Sequence, residues 1–150
     1  MDSLSECCDS RDYQRQKVYD WEAVHIPPGR WIPFDEIPAY VADLYRRIGW
    51  KYPPIVKPMP KQVRKWAGDA THTVIRFPER GANERTIVHE VAHAMTSTVH
   101  DTGDAHGPAF VGTYIRLCAP TESALFYLWS KAKLDGVDFL PVVQMPKQRG

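Results

Sequence analysis

Thr86-Ile87-Val88-His89-Glu90-Val91-Ala92-His93-Ala94-Met95 is the stretch that orders the rest of the chain. Ile87, Val88, Val91, Ala92 and Met95 recur at three- and four-residue spacing, which predicts a helix from about Asn83 or Glu84 to about Val99. On a helix, positions i and i+4 lie one turn apart on the same face. His89 and His93 can therefore aim one imidazole each at a single point, with Glu90 beside them. After twelve intervening residues come His106-Gly107-Pro108-Ala109-Phe110, and Pro108 fits the first position of a following helix.

H-E-x-x-H is the arrangement of a zinc hydrolase, in which two ring nitrogens hold Zn2+ and a carboxylate takes a proton from the bound water. The plain alternative is a pair of hydrogen-bonded core histidines and a surface glutamate. The apolar helix weighs against it, because polar side chains buried there cost free energy unless they are paired. A catalytic zinc needs a third protein ligand and an open position. A metzincin would place glycine three residues and histidine six residues after His93, where this chain has Thr96 and Val99, and His100 is off by one. A glutamate from a later helix is another route. Glu122 is the one available, although a first-turn glutamate is also explained by the helix dipole. Asp101 and Asp104 read as loop solvation. His106 is the stronger candidate: the polar loop before it can fold back, a Gly-Pro helix start follows it, and imidazole suits zinc.

His89-Glu90-x-x-His93 followed by His106-Gly107-Pro108-x-Phe110 resembles the SprT/Spartan-type zincin core, H-E-x-x-H then H-G-P-E-F, over roughly residues 62 to 118. Ile75-Arg76-Phe77 resembles that family's edge strand. A wider similarity, to a family of small bacterial and bacteriophage metallohydrolases, takes in Arg11-Asp12-x-Gln14-Arg15-x-Lys17-Val18-Tyr19 as well. The resemblance implies a minimal zincin fold, zinc held by His89, His93 and His106, and Glu90 as general base. It departs at Ala109, where the family often has glutamate. That difference bears on how the ligands are oriented, not on the ligand set. Amide hydrolysis also needs a donor for the developing oxyanion. Tyr114, on the helix after His106, and His72, on the strand before the motif, are the candidates for transition-state or substrate contacts.

The remaining chain predicts a single α+β domain over residues 10–143, between a disordered N-terminus (1–9) and a tail (144–150). A poorly apolar helix is expected from Asp9 or Ser10 to about Glu22, docking through Tyr13, Val18 and Trp21. A strongly amphipathic helix follows over about Asp35–Ile48, carrying Ile37, Tyr40, Val41, Leu44, Tyr45 and Ile48. Four prolines between Trp50 and Pro60 leave room only for an extended edge segment near Ile55–Lys57. Gln62–Trp66 and Thr71–Phe77 read as a β-hairpin, giving a small antiparallel sheet against the motif helix. Thr121 is expected to cap a last helix ending near Asp135, and Phe139–Val143 to pack on the body.

Net charge is +1, so composition supplies no field for nucleic acid, and no stretch reaches the ~18 apolar residues of a membrane span. The Lys57–Trp66 stretch holds four cations and one aromatic, which reads as a solvated loop before it reads as a nucleic-acid patch. Cys7, Cys8 and Cys118 make no disulfide framework, and residues 1–9 have no signal-peptide pattern. The expected setting is the cytoplasm of a bacterium or phage-infected cell, with a peptide or protein substrate. Two further readings stand beside a zinc metallopeptidase: a zinc-stabilised, non-catalytic binding protein aimed at a host factor, and a DNA-associated protease of the Spartan kind.

Overall fold

The computed structural model describes residues 12–60, 68–96 and 105–141. Within them the chain is α+β, with five α-helices and two small sheets around one hydrophobic core. Helix α1 (Arg15–His25) begins later and ends later than the sequence predicts. It docks through Val18 and Trp21 as expected, whereas Tyr13 stays half exposed and donates its hydroxyl to Asp138 Oδ2 at 2.7 Å. A 3-10 turn (Phe34–Glu36) leads into α2 (Ile37–Arg47), with Pro38 in its first turn and Ile37, Val41, Leu44 and Tyr45 buried on one face.

The sheet departs from the expected antiparallel hairpin. Its strands are β2 (Ile55–Pro58), β3 (Asp69–Ala70) and β4 (Val74–Phe77), in the order β2-β4-β3. β3 and β4 form the antiparallel pair, joined through residues 71–73, but β2 runs parallel to β4. The sheet is therefore mixed. β4 takes the centre because Ile75 and Phe77 alternate inward and are fully buried. Among the described residues the proline-flanked β2 lies at the sheet's edge, and the chain between it and β4 is long enough to cross over into a parallel register. The expected strand at Gln62–Trp66 lies outside the described residues.

The sequence reading also missed two short strands. β1 (Trp31–Ile32) and β5 (Ala82–Asn83) pair antiparallel just before the motif helix. Gly81 makes that approach possible: its φ is +99°, and a Cβ there would fall 2.3 Å from the Ile32 carbonyl oxygen. Asn83 then starts α3 (Glu84–Thr96), its Oδ1 accepting the Thr86 N–H at 2.8 Å. The helix was expected to end near Val99; residues 97–104 lie outside the described ones. The five predicted apolar positions of α3 are all buried.

Helix α4 (Pro108–Cys118) begins on Pro108 as predicted, with Gly107 at the N-cap. It is buried along nearly its whole length, with Phe110, Val111, Tyr114 and Ile115 in the core and the rings of Phe110 and Tyr114 against the α3 histidines. Thr121 caps α5 (Glu122–Leu134) by accepting the Ala124 N–H on its Oγ1 at 3.1 Å. Phe139 stacks on Trp129, so this part of the tail packs as expected, and Val142 and Val143 lie outside the described residues. No helix among the described residues is long and apolar enough to cross a membrane.

Candidate metal centre

Helix α3 brings His89 and His93 to one face, and the turn before α4 brings His106 against them. The three form a cluster whose ligand atoms all lie within 4.8 Å of one another. His106 Nε2 is 3.2 Å from His93 Nε2 and 3.3 Å from His89 Nε2. Phe110 walls the cluster from behind: its ring is 4.3 Å from that of His93, nearly parallel, and 5.0 and 5.1 Å from those of His89 and His106. The aromatic residue four places after His106 therefore excludes water from the back of all three imidazoles.

Helix α1 and the turn that leads into it set the orientation of two of these rings. His89 Nδ1 lies 2.7 Å from Glu22 Oε2, and His106 Nδ1 lies 2.8 Å from Asp12 Oδ2. An ionised carboxylate only accepts, so each Nδ1 carries the proton and each Nε2 keeps a bare lone pair. The other Asp12 oxygen takes the His106 backbone N–H at 3.0 Å, and Gln14 Nε2 donates to the His106 carbonyl at 2.8 Å. Gln14 also exchanges two hydrogen bonds with the Asp138 backbone, which ties the start of α1 to the segment after α5. Tyr114 donates its hydroxyl to Glu22 Oε2, the atom that holds His89.

Two bare lone pairs 3.3 Å apart cannot hydrogen-bond to each other; a cation placed between them turns that repulsion into attraction. The two spacings from His106 fit such an ion. Zinc–nitrogen bonds of 2.0–2.1 Å in a tetrahedron set neighbouring nitrogens about 3.3 Å apart. Three imidazoles, two of them with the distal nitrogen on a carboxylate, are also a donor set that suits zinc.

Glu90 stands next to the cluster. Protein surrounds most of its carboxyl, and that desolvation, reinforced by the charges of Asp69 and Glu22 and opposed by His89, pushes it up to about 7. Burial likewise holds His93 well below the ordinary histidine value. It also lowers His106, against the opposing pull of Asp12. Glu22 moves the other way: burial opposes its ionisation, but the hydrogen bonds from His89 and Tyr114 keep it below the usual carboxylate range. Strand β3 lies against this side of α3, and a Cβ on Gly68 would sit 3.0 Å from Glu90 Cγ. The space in front of the carboxyl therefore depends on a missing side chain.

Of the residues singled out in the sequence, His89, Glu90, His93 and His106 converge. Glu122 does not: it is exposed in the first turn of α5 and, among the described residues, belongs to no group of close metal-binding side chains. Tyr114 stands behind the site, its side chain fully buried and its hydroxyl committed to Glu22, so it is placed to orient a ligand and not to meet substrate. His72 lies in the exposed bend between β3 and β4, not on a strand. His100, Asp101, Asp104 and the cations Lys61, Arg64 and Lys65 lie outside the described residues. Asp12 and Glu22 were missed. The signal was present as a polar stripe, Asp12, Arg15, Tyr19 and Glu22, at i, i+3, i+7 and i+10 opposite Val18 and Trp21.

No protein-family model, no curated protein and no solved structure matches the chain.

Proposed function

We propose that this chain is a zinc-dependent hydrolase of peptide or other amide bonds, built on a SprT/Spartan-like zincin core. The observation that carries the reading is the convergence of three imidazoles, two of them tautomerically locked by carboxylates, beside a glutamate whose proton affinity is raised to about 7. His89, His93 and His106 are the ligands, with Asp12 and Glu22 holding two of the rings. Zinc bound there would lower the pKa of its water to ~7 and polarise the scissile carbonyl. Glu90 takes the water's proton as the water oxygen bonds to the carbonyl carbon. It then delivers that proton to the amine nitrogen as the carbon–nitrogen bond breaks. A carboxylate beside the metal-bound water is suited to both transfers. The substrate is a peptide or protein met in the cytoplasm of a bacterium or phage-infected cell, a setting that fits the unpaired cysteine usage.

Metal analysis of the purified protein is expected to find about one zinc per chain, lost in His93→Ala. Glu90→Gln is expected to keep the zinc and the fold while hydrolysis of denatured casein stops. A protein that purifies without metal, and melts at the same temperature with and without a chelator, overturns the reading. A Glu90→Gln protein that keeps its biological effect makes the zinc-stabilised binding protein the better description.

A further inference from the structure

Amide hydrolysis leaves negative charge on the carbonyl oxygen, and a donor fixed in place for that charge is worth more than one recruited from water. Tyr114 and His72, the two residues expected to supply it, are spent on Glu22 and turned to solvent respectively. The polar stripe of α1 offers another. Asp12 at one end is held to His106 and Glu22 at the other to His89. The Arg15 N–H donates to the Asp12 carbonyl at 3.2 Å, so the stripe keeps helical spacing along this length. Arg15 and Tyr19, between the two anchors on the same face, are consequently held against the histidine cluster.

The contacts bear this out for Tyr19. Its ring stacks on that of His89, 5.9 Å between centroids and 10° between planes, and lies 5.0 Å from that of His106. It also lies within electrostatic reach of Glu90 and Asp12. Unlike Tyr114, Tyr19 is only partly buried. The Arg15 guanidinium sits 5.8 Å from its ring centroid and is itself exposed. A neutral phenol is a hydrogen-bond donor, and an adjacent cation makes it a better one.

We propose that Tyr19, supported by Arg15, is the catalytic donor to the oxygen of the carbonyl under attack. The inference rests on the zinc-hydrolase reading and adds a residue to it. As the water oxygen bonds to the carbonyl carbon, the carbonyl π electrons move onto its oxygen, and the Tyr19 O–H hydrogen-bonds that oxygen without giving up its proton. When the carbon–nitrogen bond breaks, the electrons return and the hydrogen bond weakens. Arg15 adds positive potential to the same oxygen and steadies the Tyr19 ring.

The test uses the full chain, zinc and acetohydroxamate, a small probe that brings a charged oxygen to a zinc site with little demand on specificity. Tyr19→Phe keeps the ring stack and removes only the hydroxyl. Zinc affinity, measured by competition with a chromogenic chelator, and the melting temperature of the metal-free chain are expected to match wild type. Acetohydroxamate binding to the zinc-loaded variant, measured by calorimetry, is expected to weaken about 10- to 100-fold, the loss of one hydrogen bond to a charged group. Arg15→Gln is expected to weaken it in the same direction. A zinc-loaded Tyr19→Phe protein that binds the probe as tightly as wild type overturns the assignment of Tyr19, as does zinc-loaded wild type that does not bind it. A wild-type chain that takes up no zinc overturns the hydrolase reading as well, so the two failures are told apart by the metal titration.

Discussion

Replacing Glu22 by glutamine tests whether α1 is part of the metal centre or only lies next to it. The carboxylate oxygen Oε2 receives the His89 Nδ1–H at 2.7 Å and the Tyr114 hydroxyl. Glutamine keeps the shape and can place its carbonyl oxygen where Oε2 lies, so it removes the charge and leaves both donors a weaker, neutral acceptor. Removing such a carboxylate from a metal-bound histidine costs about 10- to 100-fold in affinity, or ~1.4 to 2.7 kcal/mol. Glu22→Gln is expected in that range, with Glu22→Ala at its upper end because alanine leaves neither acceptor nor volume. Tyr114→Phe supplies the control. It removes the second donor and leaves the His89–Glu22 contact, so it is expected to cost ~1 to 3 kcal/mol of stability while changing zinc affinity less than Glu22→Gln does. The assay is competition between the protein and a chromogenic chelator at neutral pH, paired with thermal melts of the metal-free chain. A Glu22→Gln protein that folds and binds zinc as tightly as wild type refutes the reasoning, because α3 alone would then fix the His89 ring. A loss of melting temperature without a loss of zinc affinity refutes it equally.

Two further outcomes follow from the same geometry. In chelator, the metal-free chain should lose stability as pH falls below about 6.5: the unfolded chain then binds protons at two histidines that burial keeps neutral in the folded state, His93 and His106. The slope is about 1 kcal/mol per pH unit for each histidine until its folded value is reached, and Glu90, which takes up its proton in the folded chain below about 7, offsets about one histidine's share, leaving a net loss. A melting temperature that stays flat between neutral pH and pH ~5 contradicts it. Gly68→Ala would place a methyl 3.0 Å from Glu90 Cγ and 3.1 Å from the Phe77 ring, an overpacking expected to cost ~1 to 3 kcal/mol. Hydrolysis should fall while zinc affinity holds, because the displaced group is the base and not a ligand; equal losses of both would contradict it.

The parts of this molecule that could be read from sequence are those whose causes are local. The period of Ile87, Val88, Val91, Ala92 and Met95, Pro108 at a helix start, the Thr121 cap and the amphipathic face of α2 all act within a turn or two of themselves, and each forms close to where the pattern predicts it. The pairing of His106 with the motif was legible because a short polar loop and a Gly-Pro start limit where the next helix can begin. The parallel register of β2 was not, since it depends on which strand takes the centre, and that is settled by the burial of Ile75 and Phe77 on the inward face of β4. β1 and β5 are two residues each, too short for any alternation to register. Asp12 and Glu22 looked like ordinary surface carboxylates on a poorly apolar helix. Their partners lie 94 and 67 positions away, and nothing within a helical turn of either residue announces a ring nitrogen.

The clasp at His106 also has a history in time. During synthesis the chain emerges from its N-terminus, and α3 can present His89 and His93 as soon as it forms. Asp12 has by then existed for most of the chain's translation, with nothing yet made for it to hold. Only when His106 appears does that carboxylate find its partner, and only when Asp138 follows can Gln14 close the far side through its two backbone hydrogen bonds. An ion captured earlier would rest on two imidazoles and exchange readily with whatever metal the cell offers. In the proposed zinc site, firm retention would begin once the chain's first described residues and some of its last have met, so a loaded site would report that folding has reached the end of the domain.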